Sequence, residues 1–74
     1  MSMFRDIMKK YHVSSVDVDH MAAQSYIGDI ENPLDYVEES LTGITKEERK
    51  VLVDLVTRRK KELRNFFYTN FLPD

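Results

Sequence analysis

Seventy-four residues, a net charge of −2 and no cysteine describe one small domain. They exclude a disulfide framework and a thiolate zinc site as sources of stability. A chain this short hides only about 60% of the surface that its unfolded form exposes, so its stability margin is thin.

The opening stretch MSMFRDIMKKYH breaks up its apolar residues with charges, unlike a signal peptide. No apolar run approaches the ~20 residues that a membrane span needs. A soluble cytoplasmic protein with no membrane contact is expected. Apolar spacing is helical throughout; VSSVDVDH alternates only briefly and has no second strand candidate to pair with. The spacing predicts an all-α fold, a small bundle of three main helices plus a short N-terminal one.

Phe4, Ile7, Met8 and Tyr11 fall at i, i+3, i+4 and i+7, one face of a first helix over about 3–11. It is too short to be stable without docking. Ser14 and Ser15 suit the cap of a second helix over about 15–31, with Asp17 favouring its N-terminal end. Val18, Met21, Ala22, Ala23, Tyr26, Ile27 and Ile30 give that helix a broad apolar side. Gly28 within it predicts a close approach by a neighbouring helix. Asn32-Pro33 is a cap followed by a first-turn proline, opening a third helix over about 33–42 that buries Leu34, Val37 and Leu41. Gly43 supplies its left-handed end. Thr45 and Glu48 form a capping box before the longest helix, about 46–68, whose core side is Val51, Leu52, Leu55 and Val56.

Charge is segregated along the chain. Residues 11–45 contain no Lys or Arg but carry Asp17, Asp19, Asp29, Glu31, Asp35, Glu38 and Glu39. From residue 46 the balance reverses, with Lys46, Arg49, Lys50, Arg58, Arg59, Lys60, Lys61 and Arg64. The segment QSYIGDIENP has the look of a repressor recognition helix, yet Asp29 and Glu31 would face phosphates and no cation lies nearby. Tyr26, Ile27 and Ile30 are therefore expected in the core. The turn RRKKELR is the better nucleic-acid candidate, because four successive cations cover all sides of one helical turn. Solvent exposure, or pairing with the acidic middle, is the plainer expectation for it.

The segment LRNFFYTNFLPD concentrates Phe66, Phe67, Tyr68, Phe71 and Leu72 beyond the basic turn. A small core has little room for so much aromatic area. It is expected either to fold back over Phe4, Ile7, Met8 and Tyr11, the slightly favoured reading, or to contact a partner chain. Catalytic chemistry is poorly represented. Asp17, Asp19 and His20 do not share one helix face, and no third strong ligand stands at metal spacing. No nucleophile with an evident base, phosphate-cradling loop or cofactor fingerprint occurs. Neither a catalytic site, a metal site nor a cofactor is expected.

With the helices placed, the chain resembles the theta subunits of bacterial DNA polymerase III. That family opens its first main helix with a Val-Asn-Val-Asp-Leu-Ala-Ala stretch, where this chain reads Val16-Asp17-Val18-Asp19-His20-Met21-Ala22-Ala23. Asn32-Pro33 matches the Asn and Pro before its second helix, and residues 46–68 with Leu72-Pro73 match its third helix and closing Leu-Pro. His20 in place of an apolar residue, a longer loop at 42–45 and a more aromatic tail depart from the pattern. The resemblance implies a non-catalytic accessory of a nuclease or polymerase, contacted through the first main helix and the third.

These readings converge on a helical protein that binds and modulates another protein, either as an accessory subunit or as a phage-type inhibitor. The expected partner residues are Arg58, Arg59, Lys60, Arg64, Phe67, Tyr68, Phe71 and Leu72, with the acidic middle steering the encounter. The alternatives are a dimeric nucleic-acid-binding regulator using RRKKELR and a homodimer joined by the tail.

Overall fold

A computed structural model describes residues 3–28 and 30–70, with side chains for 3–28 and 30–66. It shows a small all-α bundle: α1 (Met3–Lys10), α2 (Ser15–Ile27), a 3-10 helix η1 (Asp35–Ser40) and α3 (Lys46–Asn70). No strand occurs among the described residues.

The ends of α1 and α2 are set by local chemistry. His12 sits at φ 57°, past the end of α1. Its N–H bonds to the Lys9 carbonyl at 3.3 Å, and the Val13 N–H bonds to that of Met8 at 2.8 Å. This is a Schellman ending in which histidine occupies the left-handed position usually given to glycine. Ser14 then caps α2. Its hydroxyl accepts from the Asp17 N–H at 3.1 Å, while the Asp17 carboxylate accepts from the Ser14 N–H at 2.9 Å.

Two predicted helices come out shorter. Rather than running to residue 31, α2 ends at Ile27, with Gly28 as its extended C-cap donating to the Gln24 carbonyl at 3.0 Å. The expected close approach at Gly28 is absent: an added Cβ would meet only the Gln24 carbonyl, at 3.9 Å. Pro33 disfavours helical geometry at Asn32, whose side chain instead accepts from the Leu34 N–H at 3.1 Å. The segment expected as an α-helix over 33–42 is η1, a single short 3-10 piece. Its i→i+3 bonds include Val37 N–H to Leu34 O and Leu41 N–H to Glu38 O, each 3.0 Å. Six residues too few to propagate an α-helix adopt the tighter form, and the three expected apolar residues are still buried.

Gly43 holds φ +78°, and the Thr45–Glu48 box closes both ways at 3.0 Å. From there α3 runs 25 residues, about 37 Å. The core joins Ile7, Tyr11, Val13, Val18, Met21, Ala22, Leu34, Val37, Leu41, Leu52 and Val56. Met21, Leu34 and Leu52 are its largest fully enclosed side chains. Phe4, Met8, Val51, Leu55 and Leu63 sit half-buried at its margin. Tyr26, Ile27 and Ile30, expected in the core, are exposed by 40%, 85% and 38%. Ile27 lies on the side of α2 opposite the buried Val18, Met21 and Ala22, and Ile30 falls in the segment after the helix has ended.

Candidate functional site

Three polar clusters tie the bundle together. The Glu48 carboxylate accepts from Lys10 Nζ at 2.8 Å, from the Tyr11 hydroxyl at 2.5 Å and from the Thr45 N–H at 3.0 Å. Hydrogen bonds from Lys10, then Tyr11, then Thr45 hold it at about 2, and its charge raises both Lys10 and Tyr11 above their ordinary values. One side chain thus caps α3 and fastens α1 to it. Arg49 clasps Glu38 with two bonds, of 2.7 and 3.0 Å, and Asn32 adds a third at 3.3 Å. The Arg49 guanidinium keeps the Glu38 carboxyl below its usual range. About three turns further along α3, Arg59 donates to Asp19 at 2.6 Å and to Glu62 at 2.8 Å.

These pairs divide the charged residues named from sequence. Asp19 and Glu38, from the acidic middle, pair with cations of α3, and Asp17 is used in the α2 cap. Glu31, Asp35 and Glu39 are exposed, and Asp29 lies outside the described residues. Within the basic turn, Arg59 is held by Asp19 and Glu62, while the Arg58 guanidinium stacks over the Phe4 ring at 5.0 Å. Lys60 is half-buried; Lys61 and Arg64 are exposed. The four cations are therefore not one array aimed at a single phosphate backbone. Phe71 and Leu72, and the side chains of Phe67 and Tyr68, lie outside the described residues, as does the fold-back expected of them. Phe66 is 53% exposed. Asp17, Asp19 and His20 point to different neighbours, His20 stacking on Tyr36 with ring centroids 4.0 Å apart. Among the described residues no three metal-ligating side chains converge.

Sequence reasoning missed the outer side of α2. At 100° per residue, Val16, His20, Ala23 and Ile27 lie within about 60° of one another, opposite the core-facing Val18, Met21 and Ala22. Val16 is 74% exposed and Ile27 85%, with the half-exposed Tyr36 ring alongside His20. The spacing 16, 20, 23, 27 was itself the signal. Read as one broad apolar side, Ala23 and Ile27 join Val18, Met21 and Ala22 while Val16 and His20 are left out of it, so the second side goes unseen.

A groove of about 430 Å³ between α1, the start of α2 and α3 is floored by Phe4, Met8, Val18 and Leu55 and rimmed by Arg58 and Glu62. It is open, with Ser15, Asp19 and Arg59 also at its edge, and among the described residues no three metal-ligating side chains converge there. No helix among the described residues is long and apolar enough to cross a membrane. The architecture defines the class as an all-α small bundle. No protein family, curated protein or solved structure matches the chain.

Proposed function

We propose that this chain is a non-catalytic helical module that binds another protein and alters its stability or activity. The observation carrying this reading is the asymmetry of α3. Among the described side chains, the last to pack on the core is the half-buried Leu63, and the helix continues to Asn70. The overhanging part bears Arg64 and the exposed Phe66, with Lys61 one turn before it, and leads into Phe67, Tyr68, Phe71 and Leu72. A projecting helix that combines aromatic and basic residues has the composition of an interface anchor. The resemblance to polymerase theta subunits supports the same class, an accessory of a nucleic-acid enzyme; a phage-type modulator has the same physical profile.

Pull-down from native lysate with wild type and Phe67→Ala/Phe71→Ala, both first shown folded by circular dichroism, tests this reading. A protein retained by wild type and lost with the variant is the expected outcome. Recovery of nucleic acid alone, with affinity falling steeply above about 50 mM salt, would replace it with the nucleic-acid reading.

A further inference from the structure

The α2 helix is apolar on two opposite sides, and the described residues cover only one of them. A helix with that pattern is ordinarily enclosed from both directions. The uncovered side is a ridge about 17 Å long, Val16–His20–Ala23–Ile27, at the 4-3-4 spacing with which helix ridges enter the grooves of another helix. Tyr36 of η1 widens it through its stack on His20.

The surroundings of this ridge carry one sign of charge. Asp17 flanks it on α2. Glu39 is three residues from Tyr36 on a 3-10 helix, where i and i+3 eclipse, so it stands on the same edge. Glu31 and Asp35 are exposed in the segment that follows α2. No Lys or Arg occurs between residues 11 and 45; of the α3 cations near α2, Arg59 is engaged by Asp19 and Glu62, and Lys60 lies in a groove with Ser25, Gly28 and Pro33 on the side away from the ridge. Pairing this ridge with the same ridge of a second copy would bring acidic margins together with no cation to offset them. Charge therefore selects the occupant.

We propose that the Val16–His20–Ala23–Ile27 ridge with Tyr36 docks a cationic amphipathic helix of the partner protein, one with apolar residues at i, i+4 and i+7 flanked by Lys or Arg. This rests on the partner-binding reading above and places a second contact on the opposite charge pole from the α3 overhang. Ile27 anchors the contact as the most exposed large apolar side chain of the described residues.

The test is an amide-shift titration of the full chain with two synthetic helices, one with leucines at i, i+4 and i+7 flanked by lysines, the other with glutamates in place of the lysines. The lysine helix is expected to move the amides of Val16–Ile27 and Tyr36, and the glutamate helix to leave them unmoved. Ile27→Lys, which adds a cation to the last turn of α2 where the helix dipole favours it, should keep the fold and weaken the lysine helix by at least about tenfold. No shift at millimolar lysine helix, shifts confined to α3, equal binding of both helices, or undiminished binding by Ile27→Lys would each overturn the assignment. So would a wild-type dimer that Ile27→Lys converts to monomer, because the occupant would then be a second copy. A lysate partner kept by Ile27→Lys but lost by Phe67→Ala/Phe71→Ala would preserve the proposed function and remove this surface from it. Ridge binding of the lysine helix with no protein captured from lysate would do the reverse.

Discussion

Glu48 shows how much one side chain can do in a bundle this small. It closes the capping box of α3 and receives Lys10 and Tyr11 from α1. A carboxylate held below its ordinary value stabilises the fold above that value, and the contribution is lost as the acid form fills. Glu48 thus loses its contribution as pH falls from about 4.5 through about 2. Lys10 and Tyr11, raised by the same contact, stabilise the fold below their ordinary values and cease to do so as pH climbs through the raised ones. Glu48→Gln should flatten the acid limb of a thermal-midpoint profile and destabilise more than Thr45→Ala, since Thr45 serves only the cap. His12 is the other residue with a hidden role. A non-glycine residue in left-handed geometry costs about 1 kcal/mol or more, so His12→Gly should raise the thermal midpoint by roughly 4–8 °C. An unchanged or lowered midpoint would mean that the imidazole contributes beyond the Schellman turn.

At the scale of elements, the bounds of α1 and α3 were legible to within two residues, while the end of α2 and the form of η1 were not. The Thr45–Glu48 box and Ser14 with Asp17 are written in short patterns whose hydrogen bonds close locally, whereas Gly43, expected to end the third helix, holds its left-handed φ two residues past the Leu41 cap of η1. The end of α2 and the form of η1 depend on competition between a weak helical tendency and the Asn32-Pro33 turn, which apolar spacing alone does not weigh. Three substitutions measure these elements by denaturant midpoint. Gly43→Ala meets no atom within 4 Å, so its cost is the backbone penalty alone, about 1–2 kcal/mol. Leu52→Ala empties the centre of α3 and should cost about 2–5 kcal/mol, enough to bring a domain of this size close to unfolding. Arg59→Gln should cost less than about 1 kcal/mol, because the pair it forms with Asp19 is substantially solvated.

Across the whole molecule, charge is arranged as two poles joined by a few internal pairs. Arg49–Glu38 and Arg59–Asp19 neutralise part of the acidic middle and fasten it to α3. Among the exposed charges that remain, Glu31, Asp35 and Glu39 lie on or beside the outer α2–η1 face, and Lys61 and Arg64 stand towards the end of α3. If the overhang joins two copies, sedimentation of the full chain and of a chain ending at Leu63 will differ in mass; equal masses would rule out that homodimer. Among the described residues none after Val56 is fully buried, and a shortened chain that keeps most of its thermal stability would place the aromatic tail outside the core.

By itself the amino-acid order determined the helical class, the caps, the buried stripes of α1, η1 and α3, and the separation of charge, because each follows from local spacing or from composition. Tertiary structure alone decided which side of α2 is covered. A helix apolar on two sides offers two equivalent docking faces, and choosing between them depends on where α3 and η1 pack. The same packing gave Arg59 to Asp19 and Arg49 to Glu38, partners 40 and 11 residues apart that no local pattern joins.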